Sequence, residues 1–250
     1  MIHERFHEYF QKWDFKAANK LQAIERADHV ICISENTRQD LLEMTDVAGD
    51  RVSVVHLGFD AQIATGATLE RPIDGPYLLY VGYRSGYKNF QRLLEAYAGN
   101  NVLRDNYRLV CFGGGDFSHS DIQQIEHLRM PTDRLVWMGG SDSVLLNLYR
   151  HAAEFVYPSL NEGFGIPPLE AMAHDCPVIC SHGSSISEVV GDAGEFFDPH
   201  DSAAIAHAVE TVVSSKSRSA ELTELGRRRV QHFTWERCAE GTHNVYSSLL

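Results

Sequence analysis

From residue 77 onward the chain alternates short apolar runs with longer amphipathic stretches. Runs this short fit strands buried on both faces, and the stretches between them carry the spacing of helices with one apolar stripe. The runs are YLLYV (77–81), YRLVCF (107–112), RLVWM (134–138), EFVYP (154–158), PVICS (177–181) and GEFFD (194–198). Helices are predicted over NFQRLLEAYA (89–98), DIQQIEHLR (121–129), SVLLNLYRHA (143–152) and PPLEAMAHD (167–175). This alternation predicts an α/β fold, a Rossmann-like six-stranded parallel sheet covered by helices on both faces. Three helices should close the chain, near 201–214, 217–231 and 235–250, with Thr234 as a plausible N-cap.

The first sixty residues follow a different rhythm. A helix near 14–26, a strand HVICIS (29–34), a helix NTRQDLLEM (36–44) and a strand RVSVVHL (51–57) supply only two strands. Two strands cannot close a core of their own. The expectation is a partial N-terminal lobe over 1–58, the remnant of a first α/β domain whose earlier strands are missing. Residues 59–76, polar and bearing Gly and Pro without a period, read as a linker to the Rossmann-like domain over 77–234. The last helix, 235–250, is expected to pack back toward the N-terminal lobe.

Composition narrows the function. A net charge of -12 disfavours a sequence-independent grip on nucleic acid or anionic lipid, so any anionic ligand must be held by a few local cations. No stretch has the uninterrupted apolar length of a membrane span, and the charged, aromatic opening MIHERFHEYFQKWDFKAANK does not read as a signal sequence. The expected location is the cytoplasm, with the inner face of the membrane as a peripheral alternative. Five cysteines, several inside apolar runs, read as buried reduced thiols. Cys176 and Cys180 lack a second ligand pair, and the thirteen histidines show no metal spacing, so no metal site is expected.

The most informative segment is Asn161-Glu162-Gly163-Phe164-Gly165-Ile166-Pro167-Pro168-Leu169-Glu170, directly after EFVYPSL. A strand, a Gly-rich turn and Pro-Pro at a helix start build an exposed helix N-terminus at a strand's carboxyl end. Backbone N–H groups and the helix dipole there suit a phosphate. Glu162 on the turn and Glu170 further along the helix can reach one crevice, and a carboxylate can accept from two vicinal hydroxyls of a sugar or ribose. Taken alone, Glu170 reads equally well as a solvated helix residue.

A second segment, Tyr80-Val81-Gly82-Tyr83-Arg84-Ser85-Gly86-Tyr87-Lys88-Asn89, follows the first strand of the alternating pattern. Gly82 and Gly86 let the loop turn, and Arg84 and Lys88 place two cations where a helix begins. Such a pair suits a diphosphate, with ordinary surface charges as the other reading. Gly113-Gly114-Gly115 is weaker evidence; it keeps side chains out of a nucleotide pocket, but no GxGxxG or Walker pattern is present. No two Asp residues form a D-x-D pair, which leaves charge on a departing diphosphate to Arg84, Lys88 and the helix end, in a metal-independent site.

At these residues the chain resembles the donor-binding C-terminal domain of GT-B-fold retaining glycosyltransferases of family four (group 1), bacterial mannosyltransferases above all. ADHVICISENTRQDLL, VVHLGFD, YLLYVGYRSGYKN, LVCFGGG, VYPSLNEGFGIPPLEAMA and GSSISEVVGDAGEFFDP carry the likeness, and the E-x7-E element from Glu162 to Glu170 is its most specific part. The resemblance implies transfer of a hexose with retention of configuration. The donor would be GDP-mannose or else a UDP-hexose, with no further cofactor, and the acceptor a glycan or lipid-linked glycan. It implies that Arg84 and Lys88 bind the diphosphate and that Glu162 and the amides of Phe164 and Gly165 meet the hexose. Glu170 would hold the ribose and the backbone near Met138 the base, with Gly82, Gly114, Gly163 and Leu169 completing the donor wall.

Members of that family are usually half again as long, so the resemblance also implies a partner polypeptide to supply the acceptor side. Two other classes fit the same residues: a catalytically silent or split-enzyme nucleotide-sugar-binding module, and a GT-B-fold epimerase whose acid and base groups find no place here.

Overall fold

A computed structural model of the chain describes residues 1–9, 16–60 and 70–250. In order the elements are α1 (Ile2–Arg5), α2 (Lys16–Arg26), β1 (Val30–Cys32), α3 (Glu35–Met44), β2 (Val52–Val54), β3 (Tyr77–Val81), α4 (Phe90–Gly99), α5 (Asn101–Asn106), β4 (Arg108–Phe112), α6 (His119–His127), β5 (Leu135–Met138), α7 (Asp142–His151), β6 (Glu154–Tyr157), α8 (Ile166–Ala173), β7 (Val178–Ser181), α9 (Ser184–Val190), β8 (Gly194–Phe197), α10 (Ser202–Val213), α11 (Lys216–Val230) and α12 (Trp235–Ser247). Half of the expected linker, residues 61–69, lies outside the described residues.

The expected α/β architecture is the one adopted. Six strands form a parallel sheet in the order β5-β4-β3-β6-β7-β8. Successive residues of each strand enter opposite faces, which splits the core in two. Tyr77, Leu79, Val110, Phe155, Tyr157, Val178 and Cys180 pack on one side with α7, α8 and α9. Leu78, Tyr80, Leu109, Cys111, Val156 and Ile179 pack on the other with α4 and α10. Burial on both faces is why these strands read as continuous apolar runs rather than alternating ones.

Besides the four-residue α1, two helices were not foreseen. α5 is six residues of polar sequence, held by the Asn100 side chain accepting from the Leu103 amide. α9 is rich in Ser and β-branched residues, a composition that disfavours helix intrinsically. Tertiary packing decides there, since Ile186, Val189 and Val190 are fully buried.

The N-terminal lobe is a two-stranded parallel sheet pairing Val30 with Val52 and Cys32 with Val54, against α3. Its strands are shorter than the runs that predicted them. Its core of Met1, Ile24, Cys32, Leu41 and Val52 is small, so it leans on the large sheet domain through α3 against α9. α12 runs beside the lobe's exit strand, where Val55 faces Gly241 and Trp235 sits on Gly58. Among the described residues no helix is long and apolar enough to cross a membrane.

Candidate functional site at the sheet switch point

The strand order reverses between β3 and β6, so the loops leaving their carboxyl ends diverge and open a crevice. Both sequence segments singled out above arrive there, the loop 82–89 from β3 and the turn 158–165 from β6. Asn89, in the left-handed region at φ 57°, ties the two together: its Nδ2 donates to the carbonyls of Pro158 (3.0 Å) and Pro199 (2.8 Å). The Leu160 amide donates back to Tyr87 O at 2.8 Å.

This fastening brings Lys88 onto Glu162. Lys88 Nζ lies 2.7 Å from Glu162 Oε1, with side chains only 17% and 10% exposed. The ammonium also sits 5.4 Å from the Tyr87 ring and 5.5 Å from the Tyr157 ring. Burial, reinforced by the Glu162 carboxylate, pushes the Tyr157 phenol well above its ordinary range, so it stays a neutral hydroxyl.

Arg84 stands differently. Its guanidinium donates to the carbonyls of Gly113 (3.0 Å), Gly115 (2.5 Å) and Asp116 (2.6 Å), and Nε faces Asp121 at 3.4 Å. It also lies 4.9 Å from the Phe117 ring. With these contacts and 6% exposure, Arg84 shapes the Gly-rich loop, whereas Lys88 is paired with Glu162 across the crevice. Gly114 makes that loop's position achievable: its φ is +68°, and a Cβ would stand 2.9 Å from Gly82 O. A recess of about 440 Å³ lined by Arg84, Ser85, Asn89, Gly114 and Asp121 opens on this side; Lys88, Glu162 and Glu170 lie outside its lining.

On the β6 side, Gly165 precedes α8 at φ 114°, a conformation that a side chain would strain, and no side chain caps the helix. Pro167 and Pro168 have no N–H to cap. Among the described residues the amides of Phe164, Gly165 and Ile166 take no hydrogen-bond acceptor, leaving the positive end of α8 open. Phe164 itself is buried, its ring against Phe233 (5.6 Å) and His56 (6.0 Å).

Glu170, on the second turn of α8, is half-buried, and Tyr149 Oη donates to its Oε2 at 3.1 Å. Burial raises its carboxyl above the ordinary range, and the Tyr149 hydrogen bond opposes part of that rise. Leu169 is fully buried in the core, so its side chain presents no surface to the crevice. Met138 closes β5, where its carbonyl accepts from the Gly113 amide at 3.1 Å.

Sequence reasoning missed the residues that hold this turn. Ser34 Oγ and Thr37 Oγ1 of the N-terminal lobe donate to Gly163 O, and Ser185 Oγ contacts the carbonyls of Glu162 and Phe164. Glu188 accepts from the amides of Glu35 (2.9 Å) and Asn36 (3.3 Å) at the start of α3 and from His56 Nε2 (2.6 Å). Spacing cannot reveal these pairs, whose members stand more than a hundred residues apart in the interlobe cases. Only the N-cap at Ser34, accepting from the Thr37 amide, has a local signature.

Comparison with known proteins agrees with this architecture. Residues 67–229 match the family model of glycosyl transferases group 1, and residues 1–63 that of glycosyltransferase family 4. The chain is 30% identical over 239 residues to O-antigen chain mannosyltransferase B of Escherichia coli, covering 91% of this chain and 62% of that protein. It is 28% identical to D-inositol 3-phosphate glycosyltransferase of Salinispora tropica, covering 90% and 52%. The chain thus spans less than two thirds of these relatives' own length. Among solved structures, sucrose-phosphate synthase from Thermosynechococcus elongatus superposes with a TM-score of 0.78 at 25% identity, over 96% of this chain and 62% of that one. HepE from Anabaena, solved with UDP and glucose, shares the fold at a TM-score of 0.78 and 18% identity, over 97% and 68%.

Proposed function

The chain belongs to the glycosyl transferases of group 1, and from that premise we propose that it forms the donor-binding side of a hexosyltransferase that uses GDP-mannose. The observation that carries the reading is the meeting of Lys88 and Glu162, 2.7 Å apart, beside a helix start whose amides are free. A cation, a carboxylate and oriented N–H groups within one crevice match the three parts of a nucleoside diphosphate sugar's reacting end. Lys88 neutralises the diphosphate as it departs, Glu162 accepts from hexose hydroxyls, and the α8 amides take oxygen atoms between them. Arg84 acts on the same phosphates through the Gly-rich loop it shapes, or directly if it exchanges a loop carbonyl for a phosphate oxygen. Glu170 accepts from the ribose hydroxyls, and the backbone around Met138 meets the base.

Mannose as the hexose is supported by the mannosyltransferase relatives. Retention follows in this reading because the departing phosphate takes the acceptor's proton on the same face, so no covalent nucleophile is needed from this chain. The acceptor is a glycan hydroxyl, and its contacts belong to the acceptor side of the crevice.

The test is a product assay with GDP-mannose labelled in the sugar, with and without a lipid-linked glycan acceptor. Labelled glycan with the α-anomer, or slow release of free mannose when acceptor is omitted, supports the reading. Saturable GDP-mannose binding with neither product would make the chain a binding module, and absence of binding would remove the site altogether.

A further inference from the structure

The carbonyls of three consecutive residues in the turn before α8 are all held by side-chain hydroxyls. Ser185 Oγ lies 2.7 Å from Glu162 O and 2.9 Å from Phe164 O. Ser34 Oγ and Thr37 Oγ1 lie 2.8 and 3.2 Å from Gly163 O. Ser34 and Ser185 are fully buried, and their helices α3 and α9 pack on each other, so the anchors form one wall behind the turn.

A trans peptide is planar, and its carbonyl points opposite to the N–H of the next residue. Fixing the carbonyls of Glu162, Gly163 and Phe164 therefore also fixes the amides of Gly163, Phe164 and Gly165, aimed away from the α3 and α9 wall. Among the described residues none of those amides has a hydrogen-bond acceptor. The Glu162 amide, by contrast, is tied to Ser184 Oγ at 3.3 Å and points elsewhere. A Gly-rich turn without such anchors would sample many orientations of its peptide planes, because glycine restricts φ and ψ least. The hydroxyls remove that freedom before any ligand arrives.

We infer that Ser34, Thr37 and Ser185 are positioning residues of the donor site, which aim three successive backbone N–H groups at the oxygen atoms where the donor's diphosphate joins its hexose. The assignment rests on the donor-site reading given above and adds how its backbone part is held. Two of the three hydroxyls come from the N-terminal lobe, so that lobe contributes to the donor site through its hold on the turn. Each hydroxyl has one hydrogen, and that of Ser185 is shared between two carbonyls, so its loss releases two peptide planes at once. Ser34 also caps α3 by accepting from the Thr37 amide, so its substitution would mix two effects. Thr37 and Ser185 are the cleaner positions.

The experiment titrates the full chain, and its Ser185→Ala, Thr37→Val and Thr37→Ser variants, with GDP-mannose and with GMP, which lacks the second phosphate and the hexose. Unfolding midpoints of each variant are recorded alongside. Ser185→Ala should weaken GDP-mannose binding by about fivefold to tenfold, the worth of one hydrogen bond, with GMP binding within about twofold of the unsubstituted chain. Thr37→Val should show a smaller loss of the same selectivity, and Thr37→Ser should restore it. Equal losses for both ligands, or unchanged GDP-mannose affinity in Ser185→Ala, would overturn the assignment. Failure of the unsubstituted chain to bind either ligand would instead contradict the donor-site reading, and this assignment with it.

Discussion

Glu170 and Glu154 are both carboxyls pushed upward by burial, yet one stands on the second turn of α8 and the other opens β6, and they have different consequences. Glu170 must be ionised to accept from ribose hydroxyls. Its raised pKa predicts that nucleotide binding weakens on acidification at a pH above the ordinary carboxylate range, and Tyr149→Phe should move that limb further up by removing the opposing hydrogen bond. The check is GDP affinity measured from about pH 4.5 to about pH 8, an interval that starts just above the ordinary glutamate value of about 4.3. Glu154 is 1% exposed, with no hydrogen-bond partner for either oxygen among the described residues. Burial, then the neighbouring Glu195 charge, holds it protonated in the fold while the unfolded chain ionises near pH ~4.3. The native state thus binds the extra proton, so stability falls as pH rises from there toward the native pKa. Glu154→Gln should leave stability unchanged near pH 4 and raise it by about 1 kcal/mol or more near pH 8, one pKa unit being worth about 1.4 kcal/mol, as read by denaturant unfolding.

The elements were legible in proportion to how locally they are determined. The six strands of the large sheet fall within a residue of their apolar runs, because burial on both faces leaves an unbroken signature. The turn at 161–165 was equally plain, since strand, glycines and Pro-Pro dictate a helix start wherever they occur. α9 was invisible, because its serines and β-branched residues argue against the helix that packing enforces, and with it went Ser185 and Glu188. Arg84 was legible as a cation near the loop but not as a donor to three carbonyls, which depends on β4 lying beside β3. The Gly-rich loop offers an element-scale prediction. Gly114→Ala adds a Cβ 2.9 Å from Gly82 O at a positive φ, so it should cost about 1 to 3 kcal/mol of stability in thermal or denaturant unfolding. Gly99, whose Cβ would meet nothing within 4 Å, should tolerate the same change, with any shift on the stabilising side at a helix end.

At the scale of the whole molecule, the small N-terminal lobe is bound to the large one through polar contacts that also border the crevice. Glu188 receives the opening amides of α3 together with His56, and Arg229 of α11 holds the C-terminal end of α9, on which Glu188 stands, through the carbonyls of Glu188 and Val189. Glu188→Ala leaves those amides without their acceptor and should lower unfolding stability by about 1 to 3 kcal/mol, with the lobe's amides losing hydrogen-exchange protection first. The account as a whole stands on a sugar nucleotide lying across Lys88 and Glu162, the diphosphate at one and the hexose at the other. Its most direct test is a calorimetric comparison of Lys88→Ala and Glu162→Ala, each titrated with GDP and with GDP-mannose. The prediction is that Lys88→Ala weakens both ligands by about 1.5 to 3 kcal/mol, the range for a hydrogen bond to a charged group, while Glu162→Ala weakens GDP-mannose much more than GDP. Unchanged affinity of Lys88→Ala for both ligands, or an equal loss of both by Glu162→Ala, would contradict it.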